Sequence, residues 1–153
     1  MRLWVVAVTW PRYERRVARA FARNGFEFYL PKIRTQHQRI GLLFPRYIFA
    51  GPPEQWVALR QIYGVSRLLR SGERLATVPD ECVTTLRARE DREGLVRLPK
   101  ALRFRVGQRV RISWGPFTGA SGIYISNGKR NRDYVSLATV GTVSLPAGNL
   151  IAE

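Results

Sequence analysis

Residues that carry covalent or metal chemistry are scarce in this chain. His37 is the one histidine and Cys82 the one cysteine, too few for a four-ligand zinc site or a disulfide framework. The 11 acidic residues are sparse, the histidine has no obvious Ser or Cys partner, and no phosphate-cradling glycine loop is present. An enzyme, a metal and a cofactor are therefore not expected. The sequence supplies positive charge and aromatic rings instead. Of its 26 cations, 23 are Arg and only Lys32, Lys100 and Lys129 are Lys. The formal charge is +15, which favours a polyanionic partner, either nucleic acid or a machine that holds it. The guanidinium fork suits phosphate, although arginine-rich coding bias gives the same count. The charge is spread along the chain: residues 1–98 carry 18 cations and 9 acids, residues 99–153 carry 8 and 2.

The elements that must position these groups fall into two textures. In the first, Leu3 to Thr9 is an apolar run long enough for a buried strand. Tyr13, Val17, Ala20 and Phe21 then share one helical face, with Arg12, Arg15, Arg16, Arg19 and Arg23 on the other side and Asn24-Gly25 as the stop. Phe26 to Ile33 reads as a strand ending near Pro31, and Thr35 to Leu42 as a polar loop. Phe44 to Ala50 is the next strand, broken by Gly51-Pro52-Pro53. Trp56, Leu59 and Ile62/Tyr63 give a short helix closed by Gly64. Val65 to Arg70 is a strand, Ser71-Gly72 a turn, and Pro79-Asp80-Glu81 opens a third helix. Val83, Leu86 and Glu90 mark its period, and Gly94 is the latest it can run.

The order β-α-β-β-α-β-α predicts an α+β fold, an α/β sandwich of the ferredoxin-like class with an antiparallel sheet. Leu95 to Phe104, with Pro99, reads as a linker. Beyond it glycines recur at short spacing, and strand candidates at Arg109–Ile112, Gly122–Ile125, Tyr134–Leu137 and Thr142–Leu145 imply a small β-barrel. The predicted domains are residues 1–95 and 104–153, joined by 96–103. No window holds the roughly 18 apolar residues of a membrane span, and no small-residue cleavage site follows the N-terminal apolar run. A cytoplasmic monomer is the expectation.

In this frame the sequence resembles the NusG family of transcription elongation factors. In the first domain the resemblance rests on Trp4-Val5-Val6, Glu14-x-x-Val17, Leu43-Phe44-Pro45-Arg46-Tyr47-Ile48-Phe49, Trp56-x-x-Leu59-Arg60 and Gly64-Val65. In the second, Phe104-x-x-Gly107-x-x-Val110-Arg111-Ile112 followed by Gly115-Pro116-Phe117 and Gly122 is similar to the KOW motif of an SH3-like barrel. The resemblance implies a factor that binds the clamp helices of the β′ subunit of RNA polymerase and reaches the β gate region. Such a factor contacts upstream-fork DNA and alters pausing and processivity. Its KOW domain recruits a small-subunit ribosomal protein or a termination helicase. Some specialised relatives switch the second domain between helices and a barrel. Gly density, Pro116 and Pro146 oppose that here.

The resemblance places the polymerase contact at Trp4, Val8, Phe44, Pro45, Tyr47 and Phe49. Tyr47 and Phe49 share one strand face, which is either an exposed interface patch or core. Trp4 is equally core or patch. The resemblance places Arg16 near the displaced DNA strand, with Arg12, Arg19 and Arg23 beside it and Trp10 able to stack on an unpaired base. The bland alternative is a solvated charged face. Lys32, Arg34 and Arg39 are weaker candidates for the same surface. In the KOW domain Phe117 and Val140 stand in partner-contacting loops, and Gly122 serves the backbone. Lys129, Arg130 and Arg132 are candidates for RNA contact, although Asp133 beside them suits a solvated hairpin tip. Cys82 reads as a small buried residue. Val8 and Val140 stand where relatives carry aromatic residues. With the high charge they point to a specialised paralogue of the RfaH or LoaP kind rather than a general factor. The alternative function is a basic RNA-binding protein that works through the KOW barrel without polymerase.

Overall fold

The strand predicted at the N-terminus becomes the centre of a sheet. β1 (Leu3–Thr9) is buried at six of its seven residues, which explains an apolar run without alternation: both of its faces are covered. The structure is a computed structural model that describes residues 2–35, 37–98, 104–128 and 132–153. It divides into two units, residues 1–31 with 42–88 and residues 32–41 with 89–153.

In the first unit β1 pairs antiparallel with β5 (Tyr47–Gly51), and β5 pairs with β2 (Glu27–Tyr29). The other edge of β1 is shared by β6 (Val65–Leu68) and β9 (Thr77–Pro79). Val5, Ala7, Ile48 and Ala50 point to one face. There they meet Val17, Ala18 and Phe21 of α1 (Glu14–Arg23) and Leu59 of α2 (Trp56–Arg60). The helix spacing of these apolar residues turns one stripe of α1 to the sheet and leaves its arginines in water. The opposite face carries Val6 directly across from Phe49, Phe49 across from Tyr29, and Trp4 across from Val78. α3 (Asp80–Ala88) is tied to this face by its own side chains: Arg87 lies 5.9 Å from the Trp4 ring and 4.9 Å from Tyr29. The Trp4 indole also donates to Asp80 Oδ1 at 2.9 Å. Trp4, Phe21 and Phe49 are each at most 1% exposed, so truncating any of them to Ala costs about 3–5 kcal/mol.

The second unit contains a five-stranded antiparallel barrel sheet in the order β13-β12-β11-β10-β14. Its strands are β10 (Arg109–Ile112), β11 (Ser121–Gly128), β12 (Arg132–Leu137), β13 (Gly141–Pro146) and β14 (Leu150–Ala152). Val110, Ile112, Tyr124, Val135, Leu137, Leu145 and Leu150 fill it. Fully buried Asn149 binds the chain where it turns back, accepting from the Trp114 N–H at 3.0 Å. In this structure the described residues from 104 onward form strands and turns and no helix.

Several expectations need correction. The segment over 35–42 is not a loop throughout: β3 (Lys32–Arg34) and β4 (Ile40–Leu42) form a two-stranded ribbon. Its turn is closed by Thr35 N–H to Arg39 O at 2.7 Å, so backbone pairing forms it without an apolar pattern to announce it. The strand read over 26–33 is two strands, β2 and β3, on either side of Pro31, which has no N–H for a ladder. The strand read over 65–70 ends at Leu68, and a small hairpin of β7 (Arg70–Ser71) and β8 (Arg74–Leu75) follows. β9 and β14 are too short to show a period. The third helix ends at Ala88, so Glu90 is not on it; Glu90 forms a bridge with Val96. Val96, the first residue of the expected linker, is buried and its N–H donates to Lys32 O at 2.8 Å. Pro99 lies outside the described residues. Cys82 is half-exposed rather than buried.

Candidate functional site

At the end of β1 the chain leaves the sheet through Thr9 and Trp10. Register places Thr9 opposite Val65, which brings Trp10 beside the turn after α2. The Trp10 N–H donates to Gly64 O at 2.9 Å. Gly64 has φ of +99°, and a Cβ there would meet Val17 Cγ2 at 2.7 Å and Tyr13 Cδ1 at 3.0 Å. Only glycine allows this turn to close against α1.

The closure assembles three rings. Trp10 and Tyr63 are 5.0 Å apart, Trp10 and Tyr13 5.2 Å, and Tyr13 and Tyr63 5.9 Å, all edge to face. Edge-to-face rings hold one another in place, yet this cluster is open: Tyr63 is 65% exposed and Trp10 38%. Tyr13 raises the pKa of the Tyr63 hydroxyl, chiefly through a hydrogen bond. Arg16 stands 4.9 Å over the Tyr13 ring.

Arg12 precedes α1 and four more arginines run along it, of which Arg16 stands over the cluster. Arg12, Arg15, Arg16, Arg19 and Arg23 are all exposed. Among the described residues none of them is in an ion pair; those pairs involve Arg2, Arg34, Arg109 and Arg111. The one acid on the helix, Glu14, is buried and accepts the Arg12 N–H at 3.2 Å. Like charges three and four apart on a helix cost about 0.2–0.5 kcal/mol per pair, so this face carries uncompensated positive charge. Two arginines here also have backbone that L-residues disfavour: φ is +67° at Arg12 and +75° at Arg46.

The residues expected at the polymerase contact separate into two groups. Trp4, Val8, Phe44 and Phe49 are buried, Phe44 with its ring 6.4 Å from Phe49. Pro45 is exposed and Tyr47 half-buried. An open patch of all six is therefore not present; the accessible part is the rim at Pro45 and Tyr47. The cause is the α3 side of the sheet, where Trp4 and Phe49 are packed as core.

In the barrel, Phe117 is 7% exposed, in a turn whose Gly119 N–H returns to Ile112 O at 2.8 Å. Gly122 is a packing glycine: a Cβ there would lie 2.6 Å from Val135 Cγ1 and 2.7 Å from Ser136 O. Val140 is half-buried at the β12–β13 turn. Arg132 is engaged by Ser144, through Oγ at 2.7 Å and O at 3.0 Å. Lys129 and Arg130 lie outside the described residues. Lys32, Arg34 and Arg39 are exposed in the other unit from Trp10, and Arg34 pairs with Glu93. Among the described residues no group of three or more His, Cys, Asp or Glu could hold a metal ion, and no helix is long and apolar enough to cross a membrane.

Sequence reasoning missed Tyr63, Gly64 and Arg46 as parts of this surface. Trp10 and Tyr63 are far apart in the chain, and only the β1–β6 register joins them.

A family model described as "Transcription termination factor nusG" matches residues 2–87, more than half of the chain. The chain belongs to the NusG family. Trp10, Tyr13, Arg16, Arg46, Tyr47 and Tyr63 all lie inside the NusG match, whereas Phe117, Gly122 and Val140 lie beyond it. Among solved structures, this NusG-family chain is similar to "Domain interaction in Thermotoga maritima NusG", with TM-score 0.44 and 20% identity over 99% of this chain and 98% of that one. It is also similar to the MjSpt4:Spt5 complex in conformation B, with TM-score 0.34 and 14% identity over 98% and 95%. No curated protein matches the sequence.

Proposed function

We propose that this NusG-family protein is a transcription elongation and antitermination factor that binds RNA polymerase through its first unit and holds an unpaired DNA strand at the upstream fork. The observation that carries the reading is the open ring cluster Trp10, Tyr13 and Tyr63, with Arg16 over Tyr13 and further exposed arginines along α1. A base stacked on such a ring gains about 1–3 kcal/mol, whatever its identity, and the arginines meet the phosphates. The rim at Pro45 and Tyr47 takes the β′ clamp helices, with the β gate region as a second contact. The barrel recruits a small-subunit ribosomal protein or a termination helicase through the Phe117 and Val140 turns. No bond is made or broken by the protein. The high positive charge, Val8 and Val140 favour a specialised paralogue that depends on a DNA element.

The test is binding of the full chain to core polymerase and to polymerase lacking the clamp-helix tip. Binding that disappears with the tip, and weakens about tenfold in Tyr47→Ala, supports the reading. Tyr47 is the informative position because Phe49→Ala empties core space and confounds folding with contact. Binding indifferent to the tip refutes the docking, and equal activity on arbitrary templates refutes the specialised role.

A further inference from the structure

Arg46 is a long, charged residue in a conformation that glycine would occupy without strain: its φ is +75°. The fold holds it there with two hydrogen bonds to one residue. Arg46 Nε donates to Thr9 O at 2.9 Å, and Thr9 N–H donates to Arg46 O at 2.8 Å. Thr9 is fully buried, and the next residue is Trp10. The Arg46 guanidinium is thus anchored on the carbonyl just before the exposed ring of the platform. Its Nε is used by that anchor, which leaves the two terminal nitrogens to bind elsewhere. Arg46 is exposed, and among the described residues no carboxylate pairs with it. Strained backbone that the surroundings hold in place tends to occur at functional sites. Here the strain places a cation whose chemistry is that of a phosphate fork.

We infer that Arg46 is a phosphate-binding residue for the unpaired strand whose base sits on Trp10 and Tyr63. The inference rests on the nucleic-acid half of the proposed function and deepens it. It also divides the Phe44-Pro45-Arg46-Tyr47 turn between two tasks: Pro45 and Tyr47 form the rim for protein, and Arg46 turns its head to nucleic acid. A turn that engages both at once couples docking on the polymerase to capture of the strand.

The experiment measures anisotropy of a labelled twelve-nucleotide oligo(dT), with an oligo(U) of the same length beside it, from 0.1 to 1 M salt. The full chain, Arg46→Gly, Arg46→Lys and Trp10→Ala are compared. One phosphate contact to a single strand contributes a slope of about 0.7 in log K against log salt. Arg46→Gly is therefore expected to bind oligo(dT) about fivefold more weakly at 0.1 M, to converge on the wild type near 1 M, and to lose about 0.7 from the slope. Arg46→Lys keeps the charge and is expected to keep the slope. Arg46→Gly removes strain and one hydrogen bond together, so its melting temperature is expected within about 4 °C of wild type, which separates contact from folding. Wild-type affinity and slope in Arg46→Gly, while Trp10→Ala binds weakly, overturns the inference and leaves the platform standing. A loss that is the same at every salt concentration also overturns it. Absence of oligo(dT) binding by the wild type, or a neutral Trp10→Ala, removes the platform and this inference with it. Preference for oligo(U) keeps the phosphate contact and moves the strand from DNA to RNA.

Discussion

Gly64→Ala tests how the ring platform is held. Gly64 is buried at φ +99°, where a side chain costs about 1–2 kcal/mol in backbone strain. Its new Cβ would also press on Val17 Cγ2 at 2.7 Å and Tyr13 Cδ1 at 3.0 Å. Val17 is fully buried beneath α1 and cannot withdraw without opening the core, so overpacking adds about 1–3 kcal/mol. The expected total is about 3 kcal/mol. With a urea m-value of about 1.5–2 kcal/mol per molar, the midpoint falls by about 1.5–2 M. Tryptophan fluorescence suits the assay because Trp4, Trp10 and Trp56 all report on the first unit. A cycle with Val17→Ala isolates the steric part. Removing Cγ2 relieves the clash, so the double variant is expected to be more stable than the two single losses predict, by about 1 kcal/mol. A loss below about 1 kcal/mol in Gly64→Ala, or strict additivity with Val17→Ala, refutes the argument that this glycine seats Tyr13. The displaced Tyr13 ring also predicts weaker oligo(dT) binding in the folded fraction.

Three other outcomes follow from the same geometry. Tyr63→Ala removes a largely exposed ring with two edge-to-face contacts, so stability is expected to fall by about 0.5–1.5 kcal/mol while oligo(dT) affinity falls at least fivefold; unchanged affinity excludes Tyr63 from the platform. Arg19→Glu places an acid four residues from both Arg15 and Arg23 and is expected to stabilise the chain by about 0.5 kcal/mol while weakening polyanion binding; thermal melts and anisotropy should therefore move in opposite directions, and parallel losses refute an unpaired cationic face. Burial raises the pKa of Asp133, and the Tyr124 hydroxyl, 3.2 Å from Oδ1, acts against that shift. The folded chain therefore binds the proton to higher pH than the unfolded chain, and stability falls as pH rises from near 4 through the raised folded value. Asp133→Asn is expected to raise the melting temperature at pH 7 and to lose that gain by pH 3.5; an equal effect at both pH values refutes the cost of the buried charge.

Burial changes how the proposed polymerase contact is best mapped. Trp4 and Phe49 show the same side-chain chemistry as an exposed docking patch, yet both sit under the α3 side of the sheet, where Arg87 spans Trp4 and Tyr29. Loss of binding after truncating either ring measures unfolding as much as recognition. Pro45 and Tyr47 are the positions where a substitution reports on the proposed contact.

The sequence by itself determined the charge, the two textures of the chain, the amphipathic α1 and most barrel strands. Each of these is a local property: a period, a turn residue or a count. It also carried the family, because Trp4-Val5-Val6 and the Leu43-to-Phe49 run are contiguous. Short pairings such as β3 with β4 were not legible, since two or three residues of backbone bonding leave no period in side chains. The platform was not legible either. Trp10 meets Tyr63 because Thr9 pairs with Val65 and because Gly64 lets the turn close on α1. Which of Trp4, Phe49 and Tyr47 is core and which is rim depends on what covers each face, and that is decided only when strands from distant parts of the chain share one sheet.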